Sequence, residues 1–218
     1  MRAKALLFMA PVLLIALAVP ALAIDRRLAE RLDPATAETV WGVIETARAN
    51  GSPVDPLIAT ALEGASKQAR GDRIVAAVKN HAAALALAHQ ALGAGSAPAE
   101  IVAGAGALMS GVSADTLARL RAARPQGSLV VPLVVMADLI TRQVPVTTAT
   151  AAVVHASRAG ARDADLLRLR TRVEGDIRRG VSPAAATLAR LQGLGLAGIE
   201  RQASAPIPDR RAPGGTPP

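Results

Sequence analysis

Three arginines in the second half of the chain have a spacing that points to binding. Arg168, Arg172 and Arg179 fall on one side of a helix predicted between about Asp163 and Arg179, when residues are placed at 100° intervals. A planar guanidinium binds carboxylates and phosphates through paired hydrogen bonds. We therefore predict that these three arginines, the arginine face, bind an acidic protein surface or an anionic component of the cell envelope. The alternative is a solvated helix surface without a ligand.

Nucleic acid is a disfavoured partner for this face. Trp41 is the only aromatic residue after the first 23 residues. A single strand would therefore find no interleaved aromatic side chains on which its bases could stack.

A second set of reactive side chains lies at Glu63, Ser66 and Lys67. Ser66 and Lys67 are adjacent, so on a helix they point about 100° apart, which is poor geometry for a serine–lysine dyad. The spacing of Glu63 and Lys67 favours a surface ion pair instead. No catalytic residue is predicted. An enzyme or ligand carrier whose site assembles from Glu63, Lys67 and His81 is the alternative.

The histidines and glycines do not have the spacing of a metal or nucleotide site. His81 and His89 lie about 12 Å apart along a helix, too far to share a metal ion, and His155 stands alone. The chain has no cysteine. The glycine clusters at Gly93–Gly95 and Gly104–Gly106 lack the lysine and the spacing of a phosphate loop, and they favour loops or close packing. The sequence therefore predicts no metal site and no cofactor.

Short helices must position all of these residues. Alanine, leucine, arginine and glutamate are abundant and favour helix. Glycine followed by a Ser or Asp cap, often with proline, recurs as a helix boundary, and amphipathic segments lie between the boundaries. This pattern predicts an all-α fold, an irregular array of seven to nine short antiparallel helices.

Stacked helical hairpins, as in a solenoid, are the alternative arrangement. The segment Gly111-Val112-Ser113 leads into Thr116-Leu117-Ala118-Arg119-Leu120, and Gly180-Val181-Ser182 leads into Thr187-Leu188-Ala189-Arg190-Leu191. The match is short and the spacing of the boundaries is irregular, so it indicates a repeat without establishing one.

The run from Ser128 to Ile140 is the only long stretch of large apolar side chains after the N-terminal segment. It is rich in valine, but Pro132 suits the first turn of a helix better than the middle of a strand. We predict a central helix around which the others pack. Val134 and Leu139 are predicted to be buried, and replacing either by aspartate is predicted to cost several kcal/mol.

The N-terminus has the pattern of a secretory signal peptide. Arg2 and Lys4 precede an apolar run that ends in Ala21-Leu22-Ala23, which predicts export and cleavage after Ala23. An uncleaved N-terminal anchor is the alternative. Residues 24–198 are predicted to form one helical domain, and residues 199–218, rich in proline, glycine and arginine, a disordered tail.

These features together favour a non-enzymatic helical protein, exported to the periplasm or secreted, that acts through contacts with proteins or the envelope. Peripheral binding to anionic membrane or other polyanions through the arginine face is the alternative function.

Overall fold

The computed structural model describes residues 24–203, with side chains as far as residue 193. Within this range the chain is all-α and contains no strand, which confirms the predicted fold class. Ten helices follow one another: α1 Arg26–Arg31, α2 Pro34–Ala49, α3 Asp55–Ser66, α4 Gly71–Leu92, α5 Pro98–Met109, α6 Ala114–Ala123, α7 Val130–Thr141, α8 Val146–Arg158, α9 Asp163–Arg178 and α10 Pro183–Ala203. The helix beyond the predicted nine is α1, in the charged segment that follows the signal-peptide pattern.

Side-chain caps begin two helices, α2 and α6, where the sequence places them. The Asp33 carboxylate accepts a hydrogen bond from the Thr36 amide at 3.0 Å, and the Ser113 hydroxyl accepts one from the Thr116 amide at 3.2 Å. Each bond satisfies an amide that has no partner within the helix. Helix α3 begins without such a cap, because Asp55 is already helical and the capping residue Val54 provides no side-chain bond.

The helices stack in two rows. The even-numbered helices pack in succession, α2 against α4, α4 against α6, α6 against α8, and α8 against α10. A second row is formed by α5, α7 and α9, and the rows are joined where α4 meets α5, α7 meets α8, and α9 meets α10. Most helices thus pack against the next but one in the chain, although α3 does not pack against α5 in this way. Such contacts also occur in stacked helical hairpins, the alternative arrangement, but whether the helices form a true repeat stays a prediction.

The apolar run identified in the sequence is helical as predicted, and from Val130 onward it lies in α7. Leu133, Met136 and Leu139 are fully buried, and Pro132 lies in the first turn, where its missing amide proton costs no helical bond. Val134 contradicts the prediction, because 44% of its surface is exposed. Helix α7 packs against α5, α8 and α9, and Val134 lies on the face that these neighbours leave open.

Helix α4 has the same organising role in the first half of the molecule. It packs against α2, α3, α5 and α6. A Cβ added at Gly104 of α5 would lie 3.0 Å from Leu92 Cδ1 and 3.1 Å from Ala88 Cβ, both on α4. Glycine at position 104 thus allows α5 to approach α4 closely, whereas a Cβ at Gly106 would meet nothing within 4 Å. The close-packing role predicted for the glycine pair therefore belongs to Gly104.

The predictions for the two ends of the chain can be compared with the structure only in part. Helix α10 continues to Ala203, past the predicted end of the helical domain at residue 198, so residues 199–203 of the predicted tail are helical. The predicted signal peptide and the rest of the tail lie outside the described residues. None of the described helices combines the length and the hydropathy needed to cross a membrane.

Candidate functional site

The arginine face lies on α9, and two of its three members already have a carboxylate partner. Arg168 Nη2 is 2.6 Å from Asp165 Oδ1, and Arg179 forms an ion pair with Asp176. Arg172 is exposed and makes no ion pair within residues 24–193. The side chains of Arg168 and Arg179 are 58% and 66% exposed, so both remain reachable from solvent.

Two buried carboxylates lie beneath this face and lower its net charge. Only 2% of the Asp165 side chain and 10% of the Asp176 side chain is exposed. Asp165 also caps its own helix, since it accepts a hydrogen bond from the Arg162 amide at 3.0 Å. An anionic partner of the arginine face would therefore compete with two resident carboxylates.

Asp176 also joins α9 to α10. Its carboxylate accepts hydrogen bonds from Arg190 Nε at 2.6 Å and Nη2 at 2.7 Å, in addition to the bond from Arg179. The bonds from Arg190 lower the pKa of Asp176, burial raises it, and the bond from Arg179 lowers it further. The resulting pKa is about 2. The burial of Asp176 and its partner on the next helix become visible only in the fold.

On its other side α9 is tied to α7 by a second group of charges. Arg142 Nη1 lies 3.3 Å from Glu174 Oε1, and Arg142 Nε lies 3.3 Å from Asp138 Oδ2, as the four-residue spacing predicts. Arg170 Nε is 3.5 Å from the same oxygen of Asp138. Arg170, Glu174 and Asp176 of α9 therefore form ion pairs with neighbouring helices.

The residues considered for catalysis do not form one site. Lys67 Nζ lies 2.5 Å from Glu63 Oε1, and both side chains are more than 60% exposed, which is the predicted surface ion pair. His81 is half-buried on α4 and is bonded to Thr60 of α3, with 2.8 Å between Nδ1 and Oγ1. No hydrogen bond among the described residues joins His81 to Glu63 or Lys67.

The bond to Thr60 determines which ring nitrogen of His81 carries a proton. The single hydroxyl proton of Thr60 is donated to the Pro56 carbonyl at 2.9 Å, so His81 Nδ1 must be the donor to Thr60. Burial lowers the pKa of His81, which favours the neutral ring. His81 therefore acts as a contact between α3 and α4.

Glu100 is a polar residue that sequence reasoning missed. Its carboxylate accepts hydrogen bonds from the amides of Ala97 at 3.1 Å and Leu129 at 2.8 Å, and from Arg121 Nη2 at 2.6 Å. Burial raises its pKa, but the bonds from Leu129, Ala97 and Arg121 outweigh burial, so the pKa of Glu100 lies below its usual value. The only signal in the sequence is glutamate in the first turn of a helix, which also fits an exposed residue.

Sequence reasoning also missed a basic groove between α6 and α8. This α6/α8 groove has a volume of about 390 Å³ and is lined by Thr116, Arg119, Thr147, Thr150, His155 and Arg158, with Ala151 and Val154. Its charged lining is entirely basic. Because Arg119 lies on α6 and Arg158 at the end of α8, only the stacking of these helices brings the two arginines to one groove.

A second groove, between α2 and α4, has a different character. It encloses about 400 Å³ and is mostly apolar, with threonines at its edge; it is lined by Thr39, Gly42, Val43, Thr46, Ala47, Asn50, Ser52, Ala82 and Ala86. Both grooves lie between neighbouring helices of the even-numbered row.

Within residues 24–193 no cluster of three or more histidine and carboxylate side chains could hold a metal ion. No known protein family, characterised protein or solved structure matches the chain significantly. The functional interpretation therefore depends on the surfaces described above.

Proposed function

We propose that this chain is an exported, non-enzymatic scaffold whose stacked helices bind another protein at the cell envelope. The observation that supports this proposal is the two-row stacking of helices. Stacked helical hairpins place neighbouring helices side by side and thereby create an extended surface, which proteins of this architecture use for binding. The grooves between α2 and α4 and between α6 and α8 lie on such a surface.

Site-specific photo-cross-linking in the native host tests the proposal. A photoreactive residue would replace exposed residues of the even-numbered row, such as Ala86 and Ala151, and, as matched controls, exposed residues elsewhere, such as Ala59 and Ala164. We expect one discrete adduct from positions on the binding surface and none from the controls. Adducts from every position alike, or from no position, would contradict a scaffold with a defined surface.

Export is tested separately at the N-terminus of the protein recovered from its host. Cleavage after Ala23 leaves Ile24 as the first residue, and mass spectrometry of the N-terminal peptide would identify it. A chain that still begins at Met1 and sediments with membranes would favour the uncleaved anchor over the exported form.

Binding of anionic membrane through the arginine face is the second candidate function. It is supported by Arg172, which is exposed and lacks an ion pair in the described part of the chain. We expect flotation with anionic vesicles to weaken with added salt and to be lost in the double variant Arg168→Glu, Arg172→Glu. Flotation that is indifferent to salt and to this variant would exclude the arginine face as a membrane contact.

A further inference from the structure

We propose that the α6/α8 groove binds a short acidic peptide segment of the partner protein. This inference deepens the proposed scaffold function and rests on it. It assigns a location to the contact and a chemistry to the ligand, neither of which follows from the stacking of helices alone.

The charge of the groove selects an anionic ligand. Arg119, His155 and Arg158 line it, and no carboxylate is among its lining residues. Arg158 makes no ion pair within the described residues, so its guanidinium is available. Arg119 is held in place, because its Nη2 donates to Thr116 Oγ1 at 3.0 Å while its Nε lies 3.0 Å from Asp115 outside the groove. Guanidinium groups bind carboxylates through two parallel hydrogen bonds.

The first turn of α8 adds further donors at one end of the groove. The residue before this helix, Pro145, provides no side-chain cap, so the first amides of α8 have no partner from a capping side chain. Thr147 lies in that turn and lines the groove. The amide end of a helix carries a partial positive charge, which favours a carboxylate there.

The length of the groove favours a peptide over a small anion. Its lining extends along α8 from Thr147 to Arg158, a distance of roughly 16 Å at 1.5 Å per residue. An extended peptide of about five residues spans that distance at about 3.3 Å per residue. A single phosphate would reach only one end. The hydroxyls of Thr147 and Thr150 give such a peptide hydrogen-bonding groups between its charged contacts.

A binding measurement with the purified full chain tests the proposal. The probe is a fluorescein-labelled peptide of alternating glutamate and alanine, followed by anisotropy at several salt concentrations. We expect binding that weakens with salt, and a loss of at least about tenfold in affinity for the double variant Arg119→Gln, Arg158→Gln. The control Arg73→Gln, Arg178→Gln removes the same charge from exposed arginines elsewhere and should change affinity less than about twofold.

A second pair of variants covers the case in which the double arginine variant loses helicity. Ala151→Glu places a carboxylate in the groove and should abolish peptide binding, whereas Ala83→Glu on the exposed surface of α4 should not. Equal losses in groove and control variants, or no binding by the wild type, would overturn the proposal. Displacement of the peptide by equimolar inorganic phosphate or by an oligothymidine strand would overturn it as well, in favour of a general anion site.

These outcomes are distinguishable from failure of the scaffold function. If the groove variants bind the peptide normally while photo-cross-linking still yields one discrete adduct from another position, the scaffold remains and the groove assignment is wrong. If cross-linking yields no adduct, the scaffold itself is contradicted, whatever the peptide does.

Discussion

Glu100 connects three segments of the chain that are far apart in sequence. Its carboxylate, on α5, accepts one bond from the start of its own helix, one from Leu129 at the start of α7, and one from Arg121 of α6. The residue is 6% exposed. A buried carboxylate with this set of donors stabilises the fold only while the whole set is present, because any donor left alone becomes an unsatisfied buried group.

We predict that Glu100→Gln lowers the free energy of unfolding by about 2 kcal/mol, since the amide loses the charge pair with Arg121 and one acceptor oxygen. Urea denaturation followed by circular dichroism would measure the change. The matched control is Glu63→Gln, which breaks an exposed ion pair and should leave the free energy of unfolding nearly unchanged. Equal effects of the two substitutions would show that the Glu100 contacts contribute little.

Asp176 makes the stability of the protein depend on pH in a defined range. Its pKa falls from the ordinary 3.8 to about 2 in the folded chain. The unfolded chain therefore binds the proton more readily, and stability due to this group is complete above about pH 4 and is lost as the pH falls towards 2. We expect the urea midpoint of the wild type to drop across this range more steeply than that of Asp176→Asn. If the urea midpoints of the two proteins fell equally as the pH is lowered, Asp176 would be excluded as the source of this pH dependence.

These carboxylates also show which ion pairs can be predicted from the sequence and which cannot. Pairs four apart, such as Asp138 with Arg142 and the predicted pair of Glu63 with Lys67, follow from helical spacing alone. Glu100 and Arg121 are on different helices, and Asp176 finds Arg190 on the next one. Spacing within a helix contains no information about such partners, nor about which carboxylate is buried.

At the scale of elements, the open face of α7 provides a direct test of the packing. Leu139→Asp should cost at least about 4 kcal/mol, because it buries a charge without a partner. Val134→Asp, on the same helix, should cost less than about 1 kcal/mol, because the side chain is 44% exposed. Thermal melts of the two variants would separate these expectations. A loss of several kcal/mol for Val134→Asp would place that face inside the fold.

The error at Val134 has a physical reason. Apolar residues all round a helix predict burial all round, because the hydrophobic effect favours removing every such face from water. Helix α7 packs against α5 and α9 in its own row and against α8 in the other row, and its remaining side stays open. The caps at Asp33 and Ser113 and the helical state of residues 130–141 were predictable from local chemistry, whereas the open side depends on the order of packing.

At the scale of the whole molecule, stacking implies that stability is local. Helices α2, α3, α5 and α6 pack against α4, and α5, α8 and α9 pack against α7, whereas α2 and α9 are not a packed pair among the described helices. In stacks of this kind the free energy is approximately a sum of terms from each hairpin and its nearest neighbours. A defect at one end should therefore loosen that end before it affects the other.

We predict that Ile44→Ala, in the core of α2, costs about 2 to 4 kcal/mol locally and raises amide hydrogen exchange in α1 to α4 while α8 to α10 stay protected. Leu169→Ala, in the core of α9, should instead raise exchange in α8 to α10 while α1 to α4 stay protected. Both Ile44 and Leu169 are at most 1% exposed. Hydrogen exchange measured by mass spectrometry resolves the two halves. An equal rise of exchange throughout the described helices in both variants would mean one cooperative core, and the stack would then unfold as a unit.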